Sequence, residues 1–274
     1  MKKIFQKKTI KNLYDILMIP SMRILPGTLA YYLVLSIVPI VTLIAAACSK
    51  FSIATEDITT IFETILPNGV EDLLISVINS AKDSNLSFVL IILTFIFASN
   101  GAHSIILASN NLYNIKDKSY LERRIKALFL TIILIGLILF IIFVLGFGNI
   151  ILKFILSLKI FEKIATQVYS IFLILKWPVA VVTVFFLVKV IFTMAPDSRI
   201  PSKYVNKGAM FTTVGLILAT SIYSYYANNI ADYSYIYGNL ANIMILMVLF
   251  FVIAYFIVAG IAINANIYEL EKSE

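Results

Sequence analysis

Polar side chains gather in one otherwise apolar stretch of this chain, at the spacing of a helix. Ser99, Asn100, His103, Ser104, Ser109, Asn110 and Asn111 lie within thirteen positions, 99–111. At about 3.6 residues per turn, Ser99, His103 and Asn110 share a face, and Asn100, Ser104 and Asn111 form the adjacent stripe. Amides exposed to lipid are costly, so this face must meet other helices or a wet cavity. Two readings follow: hydrogen-bond glue between helices, or the lining of a substrate path. His103 is the sole histidine. A metal site would need further His, Cys or carboxylate ligands, so the choice for His103 is a packed ring or a proton carrier titrating near neutral pH. Lys189 is a second isolated polar group, seven residues before Pro196, or about 10 Å along a helix. Its stem can snorkel that far, or its ammonium can face a cleft that accepts an anionic head group.

Other chemistry is missing. There is no P-loop, HExxH, GxSxG elbow or convincing acid pair in an apolar run. No Asp or Glu sits in the core of such a run, where carboxylates usually bind Na⁺ or relay protons. A single cysteine, Cys48, excludes an internal disulfide and a Cys-based metal cluster. Neither a cofactor nor a metal is expected. Ala45-Ala46-Ala47-Cys48 superficially resembles a lipoprotein cleavage box, but the apolar stretch before it is too long, contains Pro39, and is followed by five more spans.

The elements that must hold these groups are six apolar stretches, at about 27–48, 86–108, 127–150, 170–194, 208–228 and 240–264. The chain is 61% hydrophobic and 14% charged, against about 45–50% and about 25% for soluble domains, which excludes a soluble protein. Roughly 20 apolar residues cross a bilayer as a helix, and the runs are too long for the ten-residue strands of a membrane barrel. The expected fold is all-α: a polytopic membrane protein, one integral domain over 1–274, with six transmembrane helices and short interfacial amphipathic helices.

The net charge of +7 is placed to orient such a fold. Lys and Arg gather in the N-terminal segment (Lys2, Lys3, Lys7, Lys8, Lys11, Arg23), after the second span (Lys116, Lys118, Arg123, Arg124, Lys126) and after the fourth (Arg199, Lys203, Lys207). The first opposite loop is acidic (Glu56, Asp57, Glu63, Glu71, Asp72, Asp83). This bias predicts that both termini are cytoplasmic. It makes anionic lipid the expected partner of the basic segments and argues against a nucleic-acid reader.

Residues 2–22 read as a basic interfacial helix or a frayed topogenic tail. Pro20 and Pro26 are expected to break the chain before the first span, and Pro39 to kink it. In 49–85, Ile58, Ile61, Phe62 and Ile65, then Leu73, Leu74, Val77 and Ile78, predict two short amphipathic helices separated by Pro67-Asn68-Gly69. Segment 151–168 reads as a third interfacial piece. The stretch from Tyr223 to Asn239 is rich in Tyr and Asn, as an interfacial belt or a head-group reader would be. Gly260, Ala262, Asn264, Ala265 and Asn266 predict close helix packing near the end of the last span. No inverted repeat is evident.

Five stretches, in order along nearly the whole chain, carry a family likeness. They are Pro26-Gly27-Thr28-Leu29-Ala30-Tyr31 through Ser36 to Pro39; Asn110-Asn111-Leu112-Tyr113 with the basic run to Arg124; Ala195-Pro196 with Ile200-Pro201 and Gly208-Ala209; Tyr233 through Gly238-Asn239-Leu240-Ala241; and Gly260 through Asn264-Ala265. Together they resemble the YihY/virulence factor BrkB family, once labelled ribonuclease BN. The sequence departs from that pattern in placing Asn266 where a Glu often follows the Asn-Ala pair. The resemblance implies a six-helix inner-membrane protein that is not a nuclease, with some relatives linked to envelope lipid transport.

The leading expectation is a non-enzymatic transporter or flippase for a lipid-linked or amphipathic anion. Its first, second, fourth and sixth spans would enclose a cleft lined by Tyr31, Ser36, Pro39, Ser99, Asn100, His103, Ser104, Asn111, Lys189 and Asn264. The alternative is a non-catalytic scaffold or envelope-assembly partner. Candidate partners are membrane lipids, a second copy, or an envelope protein.

Overall fold

The structure, a computed structural model, describes residues 18–50, 88–157, 165–229 and 239–272. Among these, the chain forms six α-helices and one 3-10 turn, with no strand. They are α1 (Ser21–Lys50), α2 (Phe88–Leu112), α3 (Tyr120–Ser157), α4 (Ala165–Met194), the 3-10 turn (Ser202–Val205), α5 (Asn206–Asn229) and α6 (Asn239–Lys272). Most of the expected N-terminal interfacial helix, the two helices of 49–85 and the Tyr-rich turn around Tyr233 lie outside the described residues.

Three boundaries differ from expectation. Pro26 lies inside α1, which starts five residues earlier at Ser21. It is buried, and membrane helices tolerate the lost backbone bond where neighbouring helices compensate. Residues 151–157, expected in a separate interfacial piece, continue α3. That helix has 38 residues, roughly 57 Å at the helical rise and longer than a bilayer core. The basic run ahead of the third span is also helical, since α3 begins at Tyr120. Ser119 caps that start: its hydroxyl donates to Glu122 Oε1 (3.1 Å) and accepts the Glu122 N–H (3.4 Å), the N-cap half of a capping box.

Neighbouring helices run antiparallel. Ser21 of α1 reaches Asn111 of α2, while Ser36 reaches Gly101. Asn100 of α2 meets Arg124 of α3, and Gly208 of α5 meets Asn264 of α6. The start of α1, connections 113–119 and 195–205, and the end of α6 therefore gather at one end, called here the basic face. α1 packs on α2 and α6, α5 on α6, α2 on α3, and α4 on α3 and α5. Among the described residues α1, α2 and α6 group together, α4 packs on α3 and α5, and Phe192 of α4 joins the same core as Ile106 and Val258.

Packing is close because the contacts are small. Ala30, Ala102, Ala127, Ala195, Ala209, Ala254 and Ala259 are buried among Leu29, Ile106, Phe192 and Val258. A Cβ on Gly208 would strike the Gly260 carbonyl, and one on Gly260 would strike Thr212 Oγ1. A Cβ on Gly215 would strike the Phe256 ring. Without a hydrophobic drive between helices in lipid, such van der Waals contact is what joins them.

The outer surface is apolar. On α5, Met210, Val214, Leu218 and Ile222 are all at least half exposed, at four-residue intervals along one face. Val89, Leu93 and Phe97 on α2 and Val248 and Phe251 on α6 are similarly exposed. Patches this extensive belong to a surface that meets lipid rather than water. Among the described residues, Ser21–Ala47, Val89–Leu112, Ser202–Tyr226 and Met244–Lys272 are long and apolar enough to cross a membrane, and Pro178–Met194 is a shorter apolar helix.

Candidate functional site

Two polar assemblies occupy the basic face. The first begins with Asp197, placed just past the end of α4, its side chain 2% exposed. Lys126 from the first turns of α3 donates to Asp197 Oδ1 (2.9 Å) and to the carbonyls of Ala195 (2.9 Å) and Pro196 (2.6 Å). One ammonium thus neutralises a buried carboxylate and satisfies the carbonyls that a helix C-terminus leaves free. From α2, Asn110 donates to Asp197 Oδ2 (2.7 Å) and Asp117 Oδ1 (2.8 Å). Its own Oδ1 accepts the Asp197 N–H at 2.8 Å. Asp117 also pairs with Arg123. The result is a clasp that ties α2, α3 and α4 together.

Both carboxylates of the clasp titrate low. Burial pushes Asp197 up, but the hydrogen bonds from Lys126 and Asn110 outweigh it and hold the group below the ordinary carboxylate range. Burial likewise raises Asp117, and the bonds from Asn110 and Arg123 prevail. Both therefore remain anionic acceptors at neutral pH.

The second assembly is a half-open cavity of about 270 Å³ between the start of α1, the end of α2 and the end of α6. Its polar wall is Ser21, Asn111, Asn114, Asn266 and Glu269; Ile19, Leu112, Ala262 and Ala265 form the apolar wall. Two bonds brace it: Ser21 Oγ to Asn111 Oδ1 and Asn114 Nδ2 to Glu269 Oε1, both 3.0 Å. Asn114 sits there because α2 ends on it. Its φ is +51°, a region that Asn tolerates better than most residues. The Ile115 N–H returns to the Asn110 carbonyl (2.9 Å) and the Asn114 N–H to that of Asn111 (3.3 Å), a Schellman ending.

Of the ten residues predicted to line a cleft, the structure brings Asn111 to this cavity and spreads the others over several helix contacts. Ser36 is buried between α1 and α2, accepting the Gly101 N–H (3.0 Å) and donating to the Tyr32 carbonyl (2.7 Å). Ser99, also buried, bonds the Ile96 carbonyl of its own helix (2.7 Å), and Ser104 is buried on the same helix. Asn264 is fully buried and accepts the Gly208 N–H at 2.7 Å, capping a free donor in the first turn of α5. Asn100 accepts from Arg124 at 2.9 Å, and the same guanidinium reaches the Ile96 carbonyl at 2.7 Å. His103 stacks edge-on with Tyr120, centroids 5.9 Å apart, and its Nε2 is buried without a partner among the described residues. Tyr31 is 57% exposed, Pro39 is half-buried within α1, and Lys189 is half-buried on α4 with no polar partner among the described residues. Asn111 alone of the ten lines the cavity. On α2, Asn100 pairs with α3 and Asn111 with α1, while Ser99 turns back to its own helix.

Asp197, Asp117, Asn114 and Glu269 are not singled out by sequence reasoning. The Asn110–Asp197 bond joins residues 87 apart, and no spacing rule reaches that far. The one signal is the amide-rich end of α2 combined with the basic run to Arg124. Among the described residues, no three His, Cys, Asp or Glu stand together to hold a metal ion.

Comparison with known proteins gives the relationship. The model of the family described as virulence factor BrkB matches residues 22–274. The chain belongs to that family. Three of the stretches that carry the BrkB likeness meet at the basic face and the seam beneath it: Asn110 and Pro196 in the clasp, Gly208 with Gly260 and Asn264 at the α5–α6 crossing. Tyr113 stacks on Tyr268 (6.0 Å between centroids), and Tyr268 on Tyr204 (5.4 Å). The Tyr113 hydroxyl is buried without a partner among the described residues, and burial raises its pKa. The chain is 26% identical over 249 residues to YfkH of Bacillus subtilis (strain 168), which is named as a ribonuclease-like protein; the match covers 89% of each chain. No solved structure matches it.

Proposed function

We propose that this BrkB-family membrane protein is a transporter of the flippase type that moves a lipid-linked or amphipathic anion and carries out no catalysis of its own. In this reading all six helices cross the inner membrane, and the basic face with both termini is cytoplasmic. The observation that carries it is the cavity at the basic face, half polar and half apolar, which fits a molecule lying partly in water and partly in lipid. The Lys and Arg residues on the same face favour an anionic substrate. The test is reconstitution of the full chain in vesicles of phosphatidylglycerol carrying a chain-labelled tracer. Transport requires faster loss of inner-leaflet tracer than in protein-free vesicles. Equal rates with correctly folded protein would overturn it.

A second reading, a non-catalytic scaffold or envelope-assembly partner, is supported by the close seams at Ser36–Gly101 and Gly208–Gly260. Helices this closely fitted leave no polar route along those seams. The same vesicles decide between the readings.

A further inference from the structure

We propose that the cavity between α1, α2 and α6 binds the primary ammonium of a phospholipid head group, of which phosphoethanolamine is the simplest. The inference rests on the transport reading only in taking the cavity as a lipid site; it departs from it in the charge, since the ligand is a zwitterionic lipid whose ammonium enters the cavity while its anionic phosphate stays outside.

The lining decides the chemistry. Among the described residues no Lys or Arg borders the cavity, so a phosphate placed inside would find no counter-charge among them, which is unfavourable. Among the described lining residues Glu269 supplies the one formal charge, and it is negative. Its Oε1 accepts from Asn114 Nδ2 at 3.0 Å, which leaves Oε2 for a ligand. Asn266 makes no hydrogen bond to a described residue, and it stands three positions before Glu269 on α6, on the same side of the helix. The Glu269 oxygen and the amide oxygens of Asn114 and Asn266 give three acceptors for the three N–H groups of a primary ammonium. Leu112 and Ala265 complete the wall on the apolar side, where the lipid glycerol and chains would continue. About 270 Å³ is several times the roughly 30 Å³ of one water, enough for a head group and too large for a bare cation. The phosphate would remain outside, among the basic side chains of the same face.

The experiment is native mass spectrometry of the full-length protein in detergent, titrated with phosphatidylethanolamine, its N-acetyl derivative, phosphatidylglycerol and free ethanolamine. Phosphatidylethanolamine should bind about tenfold more tightly than either uncharged-terminus lipid, the size expected for a charge-assisted contact. Glu269→Gln should remove that preference. Glu271→Gln, which alters an exposed residue paired with Lys203 at 3.7 Å, should keep it. Equal binding of the three lipids, or selectivity unchanged in Glu269→Gln, overturns the site. Competition by free ethanolamine at the affinity of the lipid overturns the lipid as its source. If vesicles show no transport while this selectivity holds, the transport reading falls and the ammonium site stands. Transport without selectivity removes the ammonium site and leaves the transport reading standing.

Discussion

Asp197 shows how much one residue controls here. Its side chain is almost wholly buried, yet it keeps its charge because Lys126, Asn110 and the Lys118 N–H all donate to it. Removing one partner of a buried ion pair costs about 3–5 kcal/mol, mainly from the charge left behind. Lys126 is 28% exposed, so Lys126→Met should fall near the lower limit, about 3 kcal/mol, read as a reduced unfolding temperature in detergent. The direction with pH is fixed. A carboxylate whose folded pKa is depressed contributes stability that is complete above its unfolded value, about 3.9, and is lost as pH falls through the lower folded value. From about pH 7 to about 4.5 the wild type should therefore hold this contribution, and lose it on further acidification. Asp197→Asn should be less stable at neutral pH and show a shallower decline below about pH 4; equal slopes would remove Asp197 from the acid transition. Little in the sequence marks this residue. Asp197 is one acid in a polar connection, and its partners come from two other helices.

At the scale of elements, the apolar runs are legible because lipid permits few backbone solutions. A run of about 20 apolar residues can satisfy its own N–H and C=O groups only as a helix. Five of the six expected runs fall wholly within helices, and the described part of the sixth, from Phe88, lies within α2. Helix ends are less legible, since they depend on local partners: Ser119 starts α3 early, and Asn114 stops α2 by adopting a positive φ. The small residues near the end of the last span read directly as a packing surface, and Gly260 is the closest contact of the α5–α6 crossing. Gly260→Ala places a methyl group against Thr212 Oγ1 and near the Gly208 carbonyl. The expected cost is about 3 kcal/mol, the upper end for overpacking. Thr212→Ala removes the first obstruction but also the bond from its hydroxyl to the Phe256 carbonyl, 3.0 Å. The double variant should therefore recover part of the loss, a coupling that thermal unfolding of all four proteins measures. Strict additivity would mean that the two helices can separate freely at this point.

At the scale of the molecule, charge distribution and helix count act together. Antiparallel neighbours bring connections 113–119 and 195–205, the start of α1 and the end of α6 to a single face. The same segments carry Arg23, Lys116, Lys118, Arg199, Lys203 and Lys272. Translocating such residues is disfavoured, so this face should stay in the cytoplasm. The candidate cavity and the clasp would then both face the inner leaflet, where anionic lipids concentrate. Single-cysteine variants at Lys116, Arg199 and Asp83, built on Cys48→Ala, can test this in intact cells. A membrane-impermeant maleimide should modify the Asp83 variant and reach the other two only after permeabilisation. The reversed pattern would put the cavity on the outer surface and require a substrate supplied from there. Labelling Lys116 and Arg199 from opposite sides would be more damaging, because Lys126 and Asn110 could not then both reach Asp197 and the clasp that unites α2, α3 and α4 could not form.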